Sequence, residues 1–445
     1  MAQLRLIQER FPDQIAVIGV HSAKFPSERL TASIREAVVR HGIDHPVVND
    51  AGFRIWNDYG VRAWPTVAFV DPRGTLLGAI PGEISAAELI PNLERMISEY
   101  ERLGLIDPRP VTKRREKDSQ PASVLQYPSK LIVTSEATMF VADTGHHRVI
   151  QLDLDREHRS ARIVRVFGSG EAGFADGPGD RARFRDPHGL SRKGSTLYVA
   201  DTENHAVRAI DLDRGSVRTV AGTGVMAEGR LVLGAAPTRT ALRSPWAVWV
   251  DRPRVLVAMA GSHQVLSLED ETTLSLFAGS GREELRDGPG GLAGFNQPSD
   301  LSGNEHEIFV ADSEASAVRR IALDGKAMVE TVVGMGLFEF GDRDGAGDAV
   351  RLQHPTGLAW ADHQVFVADS YNHKIKRLDP QTRKVVSLIG TGRPGMSDGK
   401  LREAMLHEPQ GVAVRGRKIY VADTNNHAVR VADLDTLRVH TLEIA

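Results

Sequence analysis

A nine-residue phrase that recurs through most of the chain restricts the fold more than any other sequence feature. Its copies share Val-Ala-Asp, a short polar turn and a closing Val or Ile, and they lie about 55 residues apart with one gap of about twice that length. The divergent phrase VAMAGSHQV fills that gap, with Met259 at the aspartate position. The aspartates of the other copies are Asp143, Asp201, Asp312, Asp369 and Asp423. The chain therefore contains six copies.

Each copy is preceded by a strand-like segment that opens at a proline. These prolines are Pro128, Pro187, Pro245, Pro298, Pro355 and Pro409. All copies but the last are followed by a glycine-rich return such as AGTG or IGTG. A unit of about 55 residues has room for four short strands, and one twisted four-stranded sheet cannot bury both of its faces alone. The pattern predicts an all-β, six-bladed β-propeller over residues 124–445.

The phrase, with its Val-Ala-Asp, its Asn-His and its closing Arg or Lys, resembles the NHL repeat. That resemblance implies an NHL-repeat propeller that offers protein partners a binding face. We expect the aspartates to accept backbone amides of the following turn, and the Asn or His at the fourth and fifth turn positions to tie neighbouring blades. The residues predicted to lie near the channel face are His188, Trp246, His205, His373 and His427.

Two kinds of metal site are weighed for the propeller, and neither is predicted. The peptidylglycine amidating lyases have a similar propeller and bind zinc through histidines after the blade-opening proline, where this chain has one histidine, His188. The Asp-Gly pairs of the connections lack the alternating carboxylates of a calcium loop and predict tight turns. These pairs are Asp176-Gly177, Asp287-Gly288, Asp344-Gly345 and Asp398-Gly399. No cofactor is predicted.

Charge and hydropathy argue against nucleic-acid and membrane partners. The formal net charge is -3, and no apolar stretch is long enough to span a bilayer. One basic residue recurs beside a strand in most copies rather than along one rim. These residues are Arg148, Arg208, Arg319, Lys374 and Arg430. The polar, charged start MAQLRLIQERF is not a signal peptide, so the expected location is cytoplasmic.

Residues 1–106 alternate helical and strand patterns and predict a separate α/β domain. The apolar run from Ile15 to Val20 predicts a buried strand, and Ser85 with Glu88 forms a capping box ahead of a last helix. The element order and the segment Arg62–Thr66 before a strand resemble the thioredoxin family, with its redoxin-like branches. The resemblance implies a cis peptide bond at Pro65 and a substrate-binding loop formed by Trp64, Pro65 and Thr66.

The chain departs from that family at its reactive centre. The family's Cys-x-x-Cys follows a strand and opens the first helix, whereas this chain contains no cysteine and starts inside a helical pattern. A missing inner strand leaves about five backbone groups unpaired, at about 1–3 kcal/mol each. We expect the strand and the thiols to lie upstream of Met1 in the natural protein. The alternatives are a deliberate truncation and a degenerate domain whose sheet has closed up or borrows a strand.

The predicted architecture is multidomain: an incomplete thioredoxin-like domain at 1–106, a proline-containing basic linker at 107–123 and the propeller at 124–445. The combination resembles NHL-repeat-containing thioredoxin-like proteins and implies a thiol-disulfide function, which needs a thiolate that this chain lacks. No catalytic residue is predicted. Two hypotheses remain open: a redox-family protein that binds without reacting, and a non-catalytic scaffold that uses the propeller face. A propeller hydrolase or lyase and an RNA-binding propeller rank below them, and the oligomeric state is left open.

Overall fold

The computed structural model describes residues 2–82, 84–107, 121–251 and 253–445. The chain divides into two compact units, Met1–Ala122 and Ser123–Ala445. Most of the predicted linker, including its basic cluster from Lys113 to Lys117, lies outside the described residues.

The first unit contains four helices and four short strands within its described part. In chain order these are α1 Ala2–Arg10, β1 Gly19–His21, α2 Thr31–Arg40, β2 Val47–Asn49, α3 Arg54–Asp58, β3 Thr66–Val70, β4 Leu76–Pro81 and α4 Ala86–Arg102. Helices α1 and α4 pack through Ile7, Ala86 and Leu93, together with Phe11 just after α1, and all four residues are buried. The hydroxyl of Ser85 accepts the Glu88 N–H at 3.4 Å, so the Ser85 half of the predicted capping box is confirmed.

The strands of the first unit form two separate pairs. β1 pairs with β2 in parallel, and β3 pairs with β4 in antiparallel fashion. Among the described residues these pairs do not join into the single sheet that the thioredoxin resemblance implies. The predicted buried strand at Ile15 to Val20 is wrong in position and burial: β1 begins at Gly19, and Ile18 and Val20 are exposed. A two-stranded pair has too few neighbours to cover both faces of such a strand.

The second unit is a six-bladed β-propeller. Blade 1 comprises β5 Pro128–Val133, β6 Thr138–Asp143, β7 Arg148–Leu154 and β8 Ser160–Phe167, followed by a short strand β9 Gly177–Pro178. Blade 2 comprises β10 Pro187–Lys193, β11 Thr196–Asp201, β12 Ala206–Asp211 and β13 Ser216–Ala221. Blade 3 comprises β14 Pro245–Asp251, β15 Arg254–Met259, β16 Gln264–Glu269 and β17 Thr273–Ala278.

The other three blades repeat this plan. Blade 4 comprises β18 Pro298–Gly303, β19 Glu307–Asp312, β20 Ala317–Ala322 and β21 Val329–Val333, followed by β22 Gly345–Ala346. Blade 5 comprises β23 Pro355–Ala361, β24 Gln364–Asp369, β25 Lys374–Asp379 and β26 Lys384–Ile389, followed by β27 Gly399–Lys400. Blade 6 comprises β28 Gly411–Arg415, β29 Lys418–Asp423, β30 Ala428–Asp433 and β31 Arg438–Thr441, and β32 Glu443–Ile444 ends the chain.

The hydrophobic core of the propeller lies between blades. Each of its six clusters combines residues of two neighbouring blades, and the cluster with Leu131 and Val141 of blade 1 also contains Tyr420 and Val429 of blade 6. The ring therefore closes between blades 6 and 1. Alternation along the strands supplies apolar side chains to both faces of each sheet, as a sheet covered on both sides requires.

Short strands extend the outer edges of most blades. β9, β22 and β27 pair with β13, β26 and β31. The tight turns predicted at Asp176-Gly177, Asp344-Gly345 and Asp398-Gly399 are therefore wrong, because these glycines lie in extended pairing segments. The additional outer strand of blade 1 is β32 from the C-terminal segment, which pairs in parallel with β8.

Candidate functional site

The repeated aspartate holds together the inner part of its own blade. In blade 2, Asp201 is fully buried, and its carboxylate accepts the Arg185 N–H at 2.8 Å. That amide precedes the blade, so the predicted bond to the following turn is wrong. The other carboxylate oxygen accepts Asn204 and Arg208, each at 2.8 Å. Burial raises the pKa of Asp201 to about 6, because the cost of removing the carboxylate from water exceeds the attraction of Arg208.

The recurring basic residues form ion pairs inside the blades. Arg208 forms one ion pair with Asp201 and a second with Asp176 at 2.7 Å. Arg319 in blade 4 and Arg430 in blade 6 are fully buried and form the two equivalent ion pairs. Lys376 fills this place in blade 5. Arg148 and Lys374 lie two residues earlier in their phrases, so the predicted single basic position is wrong. Guanidinium groups without exposed surface cannot contact a phosphate backbone.

Blade 3 closes without these charges. Met259 replaces the aspartate, Leu266 stands where the arginine would be, and both side chains are fully buried in the core between blades 2 and 3. An apolar pair of similar volume can replace a buried ion pair without loss of stability. The apolar pair explains how the divergent copy keeps the blade fold.

The histidine at the fifth turn position joins each blade to the next. Its Nδ1 accepts the backbone N–H of the residue that precedes the next blade-opening proline, at 3.1–3.3 Å. These histidines are His147, His205, His263, His373 and His427. In blade 4 the hydroxyl of Ser316 accepts the same bond. The prediction that this position ties neighbouring blades is confirmed, and the structure places His205, His373 and His427 at three different blade junctions.

Buried histidines at these junctions are held neutral. Burial, with a smaller contribution from the nearby Arg185 and Arg243, lowers the pKa of His205 to about 4. Burial also lowers the pKa of His373 to about 4, against an opposing contribution from Glu408. An imidazole nitrogen that accepts a backbone N–H must be unprotonated, so the bond and the lowered pKa agree.

His188 and Trp246 are the two predicted channel-face residues that the structure brings together. Their rings stack with centroids 4.9 Å apart, on the innermost strands of blades 2 and 3. Four other blades carry Ser129, Ser299, Thr356 and Gln410 at the same position. In the part of the chain that the structure describes, no group of three or more His, Asp or Glu side chains could hold a metal ion.

A second pair of side chains inside the ring was not predicted from the sequence. Lys130 follows Ser129 in blade 1, and Asp300 follows Ser299 in blade 4. Their side chains form a buried ion pair at 3.0 Å. The sequence does mark these two residues as unusual. At the equivalent position the other blades have Gly or Ala: Gly189, Ala247, Gly357 and Gly411.

The predicted loop of the first unit presents an aromatic side chain. The peptide bond between Trp64 and Pro65 is cis, as predicted. The Trp64 indole N–H donates to the Ser22 carbonyl at 2.8 Å, and its ring lies 4.5 Å from that of Trp56. The side chain is nevertheless 48% exposed. The hydroxyl of Thr66 donates to the Ala63 carbonyl at 2.7 Å, which fixes the loop on the other side of Pro65.

The segment that receives the Trp64 indole is itself fixed. The Ser22 hydroxyl donates to Asp50 at 2.8 Å, and the Asp50 carboxylate also accepts the backbone N–H groups of Ile55 and Trp56. Asp50 is buried and lies just before α3. The carboxylate therefore connects the end of β1, the start of α3 and, through Ser22, the Trp64 loop.

Comparison with known proteins identifies the repeat. The family described as NHL repeat matches residues 406–432. The protein SUPPRESSOR OF QUENCHING 1, chloroplastic, of Arabidopsis thaliana is 40% identical over 456 residues, which cover 98% of this chain and 43% of that protein. NHL repeat-containing protein 2 of Gallus gallus is 39% identical over 470 residues, which cover 97% of this chain and 63% of that protein. The chain thus spans less than two thirds of the length of these relatives.

Likeness to solved structures is weaker. The nidogen/laminin complex aligns with a TM-score of 0.46 and 14% identity, covering 69% of this chain and 93% of that chain. Within the described residues, no helix combines the length and hydropathy needed to cross a membrane.

Proposed function

We propose that this NHL-repeat propeller protein belongs to the same family as these two relatives and that it binds polypeptide partners, with the Trp64 loop of its first unit as the primary contact. The proposal includes the thioredoxin-like interpretation of residues 1–106, for which the element order and the loop before β3 are the support. The name NHL repeat-containing protein 2 describes the repeat and leaves the chemistry of the first unit open.

The observation that carries this proposal is an aromatic side chain that is both exposed and fixed. Trp64 is half exposed, yet its indole is held by Ser22 and by the ring of Trp56. A tryptophan that keeps one conformation loses little side-chain entropy on binding, and such residues dominate the affinity of many interfaces. The geometry therefore favours recognition at this loop.

Binding is proposed without dithiol exchange by these residues. Exchange proceeds through attack of a thiolate on a disulfide, and the 445 residues contain no cysteine. A redox step in the family would need thiols from outside this sequence. The residues beside Trp64 supply hydrogen-bonding groups and an aromatic surface.

Selection from a displayed peptide library against the full chain tests the proposal. We expect enriched peptides to bind the Trp64→Ala variant at least about tenfold more weakly than the wild type, because a central aromatic anchor contributes about 2 kcal/mol or more. The Phe338→Ala variant, which loses another exposed aromatic side chain, is the matched control and should bind like the wild type. Peptides that bind Trp64→Ala and wild type equally well would refute a contact at this loop.

The second candidate is a scaffold whose contact surface lies on the propeller. The observation in its favour is a set of exposed apolar side chains on the connections between blades, including Phe338, which is 71% exposed, Val225 and Met396. The same selection separates the candidates, since peptides that depend on Phe338 and not on Trp64 would favour the propeller. The cytoplasm remains the proposed location, although one relative is named as chloroplastic.

A further inference from the structure

The innermost strands bring two charged side chains from opposite sides of the ring to one point. Lys130 belongs to β5 of blade 1 and Asp300 to β18 of blade 4, and blades 1 and 4 lie opposite each other in a ring of six. Their Nζ and Oδ2 atoms are 3.0 Å apart, with 7% and 13% of the side chains exposed. Both strands shift register next to these residues, and such bulges re-aim side chains. The pair therefore lies at the propeller axis.

Every proton of the Lys130 ammonium has an acceptor. Besides Asp300, Nζ donates to the Gln410 carbonyl at 2.9 Å and to the Thr356 carbonyl. An ammonium group has three donors and no acceptor, so this set satisfies it completely. Burial lowers the pKa of Lys130, and the attraction of Asp300 opposes that effect.

The acceptors are held in place by the protein independently of the lysine. Asp300 Oδ2 also accepts the Leu358 N–H at 2.8 Å, and Oδ1 accepts the Leu301 N–H at 2.9 Å. The two carbonyls belong to innermost backbone segments that approach very closely: a Cβ on Gly357 would lie 2.5 Å from the Gln410 oxygen. Removing the lysine side chain would therefore leave the oxygen atoms where they are.

We propose that Asp300 and the carbonyls of Thr356 and Gln410 form a site for one monovalent cation on the propeller axis, which this chain fills with its own Lys130 ammonium. One carboxylate balances one positive charge, and main-chain carbonyls are the ligands that replace the hydration shell of potassium. The Nζ contacts with Asp300 and Gln410, at 3.0 and 2.9 Å, are longer than the 2.3–2.6 Å of calcium and the 2.0–2.1 Å of magnesium. The vacated site would fit potassium or a small primary ammonium ion.

The Lys130→Ala variant of the full chain tests the proposal through its thermal midpoint, Tm, in chlorides of potassium, ethylammonium or tetramethylammonium. We expect its Tm in tetramethylammonium to lie about 5–10 °C below that of the wild type, because a buried carboxylate loses its partner. Potassium and ethylammonium should recover at least half of that loss in a saturable manner. The wild type should have the same Tm in all three salts.

Two control variants distinguish a cation site from a general salt effect. Lys130→Met keeps the lysine stem in place and should lose stability without recovery in any salt. Adding Asp300→Asn to Lys130→Ala should abolish the recovery. Three results would each overturn the proposal: the same Lys130→Ala Tm in all three salts, a larger gain in Tm in added calcium chloride than in potassium chloride, or a Lys130→Ala protein that folds in none of the three salts while Lys130→Met folds.

Discussion

At the scale of single residues, the blades show two solutions to one packing problem. Blades 2, 4 and 6 bury an aspartate and an arginine together, whereas blade 3 buries Met259 and Leu266 at the same positions. Removing one partner of a buried pair leaves an uncompensated charge, but replacing both partners with apolar residues removes the charge altogether. Blade 3 thus serves as an internal reference for the contribution of the ion pair to the stability of the other blades.

This comparison predicts the behaviour of blade 2 variants. Arg208→Leu should lower the free energy of unfolding by about 3–5 kcal/mol, because Asp201 stays buried without its guanidinium partner. The double variant Asp201→Met/Arg208→Leu, which copies blade 3, should regain at least half of that loss. Urea unfolding of the wild type and both variants measures the difference. A double variant no more stable than Arg208→Leu would contradict the argument.

The blade junctions carry a pH dependence of defined sign. His205 has a pKa of about 4 in the folded protein and about 6.5 when unfolded, so unfolding takes up a proton between these values. The neutral imidazole therefore contributes stability that is fully present above pH 6.5 and is lost as the pH falls towards 4. Asp201 and Asp312, with pKa values raised to about 6, contribute with the opposite sign, so the histidine effect must be measured by difference.

His205→Ser isolates that effect, because Ser316 already performs the same role in blade 4. The wild type should exceed the variant in unfolding free energy at pH 7.5, and the difference should shrink at pH 5. Paired urea titrations at the two pH values provide the measurement. A difference that stays constant between them would mean that protonation of His205 does not weaken the junction.

The sequence predicts some of these residue roles and misses others for a physical reason. The histidine bridge could be predicted, because five of the six phrases have a histidine at the same position in the turn. The partner of Asp201 could not, because Arg185 lies 16 residues upstream and approaches only when the innermost strand is in place. Lys130 and Asp300 are each single departures within their copies, and only closure of the ring makes them neighbours.

Among the helices and strands, those that pack against more neighbours are placed more accurately by the sequence prediction. Each propeller sheet packs against a neighbouring blade on both of its faces, and the alternating pattern of its strands places the six blades correctly. Helix α4 begins at its predicted cap, which depends on local hydrogen bonding. In contrast, β1 and β2 form a sheet of only two strands, and Val20 of β1 and Ile18 just before it are exposed.

The Trp64 loop shows the same rule at a candidate site. Its position ahead of β3 and the cis bond at Pro65 could be predicted from the segment Arg62–Thr66 together with the element order, which resembles the thioredoxin family. Its anchoring could not, because the acceptor of the indole N–H is the carbonyl of Ser22, which lies 42 residues earlier. Local motifs can indicate where a binding loop lies, but the contacts that fix it come from the fold.

At the scale of the whole molecule, the junction between blades 6 and 1 differs from the others because no chain segment connects these blades directly. It uses the common ties, in which His427 accepts the Tyr127 N–H and Thr424 donates to the Pro128 carbonyl. It adds a hydrogen bond from His440 to the His158 carbonyl at 2.9 Å and the pairing of β32 with β8. The last strand thus lies at the outer edge of blade 1, in the position that β9 occupies at the outer edge of blade 2.

Deleting residues 443–445 tests whether this strand closes the ring. The deletion removes the bonds from the Glu443 N–H to Arg159, from the Ala445 N–H to Ala161 and from the Ile163 N–H to Ala445. At about 1 kcal/mol each, we expect a loss of about 2–3 kcal/mol in unfolding free energy. Hydrogen exchange should accelerate in β8 and spread to the facing strand β29, because Ile444 packs on the core shared by blades 6 and 1. β13 is the internal control, since β9 still pairs with it, and equal acceleration in β8 and β13 would show that the deletion loosens the whole propeller rather than this junction.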